Sequence, residues 1–96
     1  MSTGRTLIAE ASQPRLPRGV RLRFDETREQ WVLLAPERLF VLDDIALAIL
    51  RELDGERSVG TIAGVLAARY EAPRDAVLAD VVSLLQEFTD KGVIAA

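Results

Sequence analysis

The chain has 96 residues, with 12 basic and 15 acidic side chains, a formal net charge of −3, and no His or Cys. The length favours one domain with one modest core, and the missing Cys excludes disulfides and thiol chemistry by this chain. Its negative charge gives no general attraction to nucleic-acid phosphates. No apolar run approaches the roughly 20 residues that a membrane span requires, and the start lacks a secretory pattern, so we expect a cytoplasmic protein.

The first part of the chain shows no hydrophobic periodicity. Pro14 and Pro17 fix their own backbone and favour extended conformations in the residues before them. We therefore predict a flexible N-terminal tail over residues 1–18 and a folded domain over residues 19–96.

Two segments with β-strand character come next. The first alternates between charged residues and the apolar Val20, Leu22 and Phe24, which is the period of a half-buried strand. A second strand is predicted over residues 30–34, and Pro36 then favours a tight turn.

Residues 38–42 are predicted to form a short third strand. We expect Phe40 and Leu42 to face the core, since Leu42 leads directly into a helix, and Leu39 and Val41 to face the other way. A strand at the edge of a sheet has unpaired backbone groups that can pair with an added strand. The alternatives are an edge protected by a neighbouring helix or by self-association.

Three amphipathic helices are predicted to follow. Their start signals are Asp43 or Asp44, Ser58 and Pro73, and their stop signals are Gly55 and Gly92. Apolar residues at helical spacing should face the core, among them Ile45 of the first helix and Tyr70 of the second. Three strands followed by three helices indicate an α+β fold, a winged helix-turn-helix-like domain with a three-stranded antiparallel sheet.

The third predicted helix carries an unusually wide apolar stripe. Its members are Val77, Leu78, Val81, Val82, Leu84, Leu85 and Phe88. This stripe exceeds the roughly 100° that one core-facing side requires. We expect the groove beside the sheet to be lined by Leu78, Val82 and Leu85. The residues that can face the domain interior are Val77, Val81, Leu84, Leu85 and Phe88. The alternative is that both flanks are buried between two helices and the sheet.

The polar residues give little sign of chemistry. The carboxylates come without His and without metal-ligand spacing, so no catalytic, metal or cofactor site is predicted. The third helix has two basic and four acidic residues between residues 73 and 91, a net charge of −2, which is unsuitable for reading a DNA major groove. Arg21 and Arg23 form either a solvated hairpin face or a surface that attracts an acidic partner.

Five strings spread over residues 14–94 carry a family resemblance. They are PRLPRGVRLRFDETREQWVLLAPER, LDDIALAIL, DGERSV, LAARYEAP and DVVSLLQEFTDKGVI. Together they resemble the coenzyme PQQ synthesis protein D (PqqD) family, of which the hairpin string and DGERSV are the more specific parts.

The resemblance implies a non-catalytic peptide chaperone, a RiPP recognition element, in pyrroloquinoline quinone biosynthesis. Such proteins bind the ribosomal precursor peptide PqqA and present it to the radical SAM enzyme PqqE, which joins a Glu and a Tyr side chain of the peptide. The peptide adds as a strand to the third strand and packs against the third helix. On this chain the implied peptide-binding residues are Arg38, Leu39, Phe40, Val41, Leu42, Leu78, Val81, Val82 and Leu85.

Two other functions compete with this expectation. One is an assembly scaffold that mainly contacts the enzyme, through Arg21 and Arg23. The other is a winged-helix DNA-binding regulator, which the charge disfavours. Because an open strand edge can also pair with a second copy, the chain is expected to be a monomer or a homodimer.

Overall fold

A computed structural model describes residues 5–96 and shows three strands followed by three helices. The elements are β1 Arg21–Asp25, β2 Gln30–Ala35, β3 Arg38–Val41, α1 Asp44–Leu50, α2 Val59–Tyr70 and α3 Arg74–Asp90. The antiparallel sheet has the order β1-β2-β3, so β3 is an edge strand. The predicted α+β, winged helix-turn-helix-like order is confirmed.

Tight turns connect the three strands. Asp25 holds the first turn, because its carboxylate accepts hydrogen bonds from the backbone N–H groups of Thr27 and Arg28 and from the Arg28 guanidinium. Glu29 and Glu37 have φ angles of 53° and 61°, in the left-handed region that such turns use. These turns fix the register of the sheet.

The sheet has an inner face toward the helices and an outer face away from them. Leu33 and Leu42 are buried on the inner side, and Phe40 is half-buried there. Leu39 and Val41 are 40% and 50% exposed. The prediction that Phe40 and Leu42 face inward is therefore confirmed.

The helix starts follow the predicted signals. The Asp43 side chain accepts a hydrogen bond from the N–H of Ala46 at 2.8 Å, and Ser58 accepts one from the N–H of Thr61 at 3.1 Å. Pro73 directly precedes α3, where its missing N–H costs nothing. Of the two candidate caps for α1, the structure therefore selects Asp43.

Two residues predicted to face the core lie on the surface. Ile45 is 63% exposed and Tyr70 is 61% exposed. Ile45 lies in the first turn of a seven-residue helix, and Tyr70 is the last residue of α2, directly before the left-handed Glu71. Both residues lie at the ends of their helices, where helical periodicity alone misplaced them.

The string DGERSV covers the second half of the loop between α1 and α2 and ends on the first residue of α2. The Asp54 carboxylate accepts hydrogen bonds from the backbone N–H groups of Glu56 and Arg57 and from the Arg57 guanidinium. These bonds, chiefly the one from the backbone N–H of Arg57, lower the pKa of Asp54 to about 2. Gly55 has a φ of 78°, and its N–H donates to the carbonyl of Pro14 at 2.9 Å. The predicted role of Gly55 as the stop of the first helix is wrong, because α1 ends earlier, with Arg51 as its C-cap.

The prediction of a flexible tail needs correction over residues 5–18. Ile8 is buried in the core, and Arg15 and Ala95 exchange backbone hydrogen bonds of 2.8 and 3.0 Å in a short antiparallel bridge. An extended segment whose backbone pairs with distant loops has no periodicity of its own, so the sequence pattern could not reveal it. The first part of the predicted tail, residues 1–4, lies outside the described residues.

One core lies between the inner face of the sheet and the helices. Its largest fully buried hydrophobic side chains are Leu33, Leu50, Val59, Ile62, Val81, Leu85 and Val93. None of the helices in residues 5–96 combines the length and the apolar character needed to cross a membrane.

Candidate functional site

The outer edge of β3 presents backbone groups that no strand in residues 5–96 covers. The Leu42 N–H donates to the Trp31 carbonyl at 3.0 Å, and the register places Val32 opposite Val41. In an antiparallel ladder, hydrogen-bonded pairs alternate with pairs that do not bond each other. The N–H and C=O groups of Val41, and by the same alternation of Leu39, therefore point away from β2 toward the open edge.

The inner face of β3 meets the C-terminal end of α3. The Phe40 and Phe88 rings pack edge to face with centroids 5.5 Å apart. The Arg38 guanidinium donates to the Lys91 carbonyl at 2.7 Å, and the Lys91 ammonium lies 5.5 Å from the centre of the Phe40 ring. These contacts hold the edge strand beside one particular side of α3.

That side of α3 contains Val77, Asp80 and Leu84, which precede Phe88 at spacings of three and four residues; we call these three residues the open flank. Val77 and Leu84 are half-buried and Asp80 is exposed. Since residues three and four apart share one side of a helix, the open flank continues the surface that Phe88 presents to β3.

The opposite side of α3 contains Leu78, Val82 and Gln86, spaced by four residues; we call it the closed flank. The Gln86 side chain accepts a hydrogen bond from the N–H of Ile8 at 2.8 Å and donates one to the carbonyl of Thr6 at 2.9 Å. The N-terminal segment therefore lies along this flank.

An ion pair reinforces the N-terminal cover of the closed flank. The Arg5 guanidinium contacts the Asp90 carboxylate at 2.7 Å. The hydrogen bond from Arg5 is the main cause that lowers the pKa of Asp90. The pair is exposed, so we assign it a minor contribution to stability.

The structure divides the nine predicted peptide-binding residues into three groups. The predicted strand residues, Arg38, Leu39, Phe40, Val41 and Leu42, lie together at the sheet edge. Leu78 and Val82 lie on the closed flank, the side of α3 that the N-terminal segment follows, so their place in a peptide groove stays a prediction. Val81 and Leu85 are fully buried and form the shared floor between the flanks, so they support a groove without offering exposed side chains.

A cavity of about 220 Å³ lies between the three helices, next to the open flank. Its wall is mostly apolar, with a carboxylate from α1 and another from α3. The lining residues are Asp44, Ile45, Ala48, Ile49, Leu66, Tyr70, Val77, Asp80 and Val81. Sequence reasoning missed this cavity because it assigned Ile45 and Tyr70 to the core. The one sequence signal for the cavity was Asp80, a charged residue that interrupts the apolar stripe of α3.

The arrangement is suited to binding. An exposed ladder edge supplies directional backbone hydrogen bonds, and the adjacent apolar surface supplies side-chain contacts. Within residues 5–96, no three acidic side chains come together in a way that could hold a metal ion.

Comparison with known proteins places the chain in one family. The family Coenzyme PQQ synthesis protein D (PqqD) matches residues 30–94. A protein of Bradyrhizobium diazoefficiens named PqqA binding protein is 53% identical over 87 residues, which cover 91% of this chain and 84% of that protein.

Two solved structures share the fold. One is the solution NMR structure of the PqqD truncation of Methylobacterium extorquens PqqCD, which is described as a functional and stand-alone RiPP recognition element. It matches with a TM-score of 0.83 and 46% sequence identity, over 96% of this chain and 98% of that one. The crystal structure of PqqD from Xanthomonas campestris has a TM-score of 0.61 and 43% identity, covering 93% and 99%. The chain therefore belongs to the coenzyme PQQ synthesis protein D (PqqD) family.

Proposed function

We propose that this chain binds the precursor peptide PqqA as an added strand on β3 and presents it to the radical SAM enzyme PqqE. The name of the B. diazoefficiens relative and the description of the M. extorquens structure support peptide binding by this domain type. The observation that carries the proposal is the outward backbone of Leu39 and Val41, beside a mostly apolar surface on α3.

The chain would recognise an added strand through its backbone and through its side chains. Main-chain pairing with Leu39 and Val41 gives affinity that does not depend on the peptide sequence. Alternate side chains of the peptide then point inward, toward Val77 and Leu84, and these contacts give specificity.

The chain contributes position to the reaction, while the bond chemistry belongs to the enzyme. A peptide held on a domain that docks on PqqE meets the enzyme at a raised effective concentration. We place this step in the cytoplasm, where the ribosomal precursor is made.

A proline substitution at the edge tests strand addition. Val41→Pro removes an N–H that points outward and leaves the hydrogen bonds between β2 and β3 in place. We expect PqqA to bind at least about tenfold more weakly, because one hydrogen bond and the close approach of the strand are lost. Isothermal titration calorimetry measures the change.

Val41→Ala is the matched control, because it shortens the same side chain and keeps the N–H. Its affinity for PqqA should stay within about threefold of the unchanged chain. Equal affinity of the proline and alanine variants would show that the peptide binds elsewhere.

A second candidate function is assembly with the enzyme through the outer face of the sheet. Arg21 and Arg23 are exposed there, and neither forms an ion pair with a residue in 5–96. If this surface contacts PqqE, Arg21→Glu with Arg23→Glu weakens association with the enzyme and leaves the affinity for PqqA unchanged. Surface plasmon resonance with immobilised PqqE separates the two effects.

A further inference from the structure

We propose that the cavity between the three helices is a specificity subsite for one basic side chain of the bound peptide. Asp44 and Asp80 would pair with its cationic end, and the apolar wall would cover its methylene stem. The inference rests on the proposed function, because it assigns the chemistry of a peptide already held on β3.

The apolar part of the subsite is exposed in the isolated chain. Ile45 and Tyr70 are more than 60% exposed, and with the half-buried Val77 they line the same cavity. Exposed apolar surface of this kind, with polar groups at its rim, is typical of a binding site. A lysine or arginine suits it, because such side chains bury their methylene groups while the charged end stays at the rim.

The two carboxylates at the rim come from different helices. Neither Asp44 nor Asp80 forms an ion pair with any residue in 5–96, whereas Glu87 and Asp90 of α3 pair with Lys91 and Arg5. Their charges are therefore available to an incoming cation.

Helix capping does not account for Asp44. The N-cap of α1 is the preceding residue, Asp43, which already accepts the hydrogen bond from the N–H of Ala46. Asp44 lies in the first turn of α1 and lines the cavity together with Asp80 of α3.

The position of the cavity links it to the strand edge. β3 ends at Val41 and α1 begins at Asp44, so a peptide that lies along β3 and continues past its end reaches the rim of the cavity. The other end of β3 carries Arg38, while Lys91 nearby is paired with Glu87. A basic peptide residue is thus attracted to the end of β3 next to α1 and repelled from the end next to Arg38.

The experiment measures PqqA binding to the full chain by calorimetry at low salt. The double variant Asp44→Asn with Asp80→Asn should lose about tenfold in affinity, and the loss should shrink as salt is added. The control is Asp75→Asn, which removes an exposed carboxylate of α3 that does not line the cavity, and it should change affinity by less than about twofold.

A second set of measurements identifies the partner of the carboxylates. Each basic residue of PqqA is replaced by Gln in turn, and one replacement should reproduce the loss without adding to that of the double variant. Reversing the pair, with Asp44→Lys and Asp80→Lys against a peptide carrying Glu at that position, should restore most of the lost affinity.

The outcomes separate this inference from the function on which it rests. If the double variant binds PqqA as well as the unchanged chain does, or if every peptide replacement is additive with it, the subsite is overturned. Should Val41→Pro still weaken binding in that case, strand addition stands. If the unchanged chain fails to bind PqqA, both proposals fall.

Discussion

The two flanks of α3 have similar apolar residues and different surroundings. Leu78 and Val82 lie on the closed flank, where Gln86 holds the N-terminal segment through two hydrogen bonds. On the open flank, Val77 lines the cavity, and Leu84 lies one helical turn before Phe88, which packs against Phe40 of β3. The two flanks therefore differ in what lies beside them: the N-terminal segment lies along the closed flank, and the open flank, which we propose as the peptide-binding side, has no such segment within residues 5–96.

Alanine variants of two adjacent leucines, Leu84 and Leu85, should differ most in their effects on stability and on peptide binding. Leu85→Ala removes a fully buried side chain from the floor, and we expect it to lower the free energy of unfolding by about 3–5 kcal/mol. Leu84→Ala, on the half-buried open flank, should lower it by about 1 kcal/mol and weaken PqqA binding several-fold. Urea unfolding and calorimetry measure the two quantities.

Equal losses of stability from the two alanine variants would contradict the assignment of floor and flank. So would a Leu84→Ala variant that keeps full affinity for PqqA.

The packing of the N-terminal segment on the closed flank can be weakened by variants that leave the open flank unchanged. Ile8→Ala removes a buried side chain of the N-terminal segment, so we expect the free energy of unfolding to fall by about 2 kcal/mol. Amide hydrogen exchange should speed up in residues 5–12, while the affinity for PqqA stays within about twofold.

Gln86→Ala is the companion variant, because it removes both side-chain hydrogen bonds to the segment. It should loosen the same residues by less than Ile8→Ala does. A large loss of PqqA affinity in either variant would mean that the closed flank takes part in binding.

A substitution in the loop between α1 and α2 should have the smallest effect on stability. This loop lies outside both flanks and serves as a reference region. Folding lowers the pKa of Asp54 from its usual 3.8 to about 2, chiefly through the backbone N–H of Arg57. A lowered pKa stabilises the folded state above about pH 4, and this contribution is lost as the pH falls from about 4 to 2. Asp54→Asn should therefore lower the melting temperature slightly at pH 7.

The difference in melting temperature between the Asp54→Asn variant and the unchanged chain should become smaller as the pH falls toward 2. Glu56→Gln is the control, since the Glu56 side chain forms no ion pair within residues 5–96. A difference that stays constant from pH 7 to pH 2 would show that the Asp54 charge does not stabilise this loop.

The order of elements and the orientation of β3 could be predicted from the sequence, because both depend on local patterns. Alternation placed Phe40 and Leu42 on one face of β3, and the lead of Leu42 into the first helix indicated that this face is the inner one. The capping preference of Ser58 marked the start of α2. These signals act over a few residues, so the sequence displays them directly.

Which flank of α3 the N-terminal segment follows could not be predicted, because this depends on contacts between distant residues. Gln86 meets a segment 78 residues earlier in the chain, and that segment has no periodicity. Helical spacing identified the apolar stripe, but each flank contributes one Val and one Leu to it, so the stripe alone does not distinguish them. Tyr70 is likewise exposed at the end of α2, although its spacing matches the buried residues of that helix.

Backbone amide chemical shifts during a PqqA titration test the central claim most directly. We predict that the largest changes occur at residues 38–42 and along the open flank at Val77, Asp80 and Leu84, with small changes at Leu78 and Val82. Changes concentrated at Leu78, Val82 and residues 5–8, with Leu39 and Val41 unaffected, would contradict strand addition at β3.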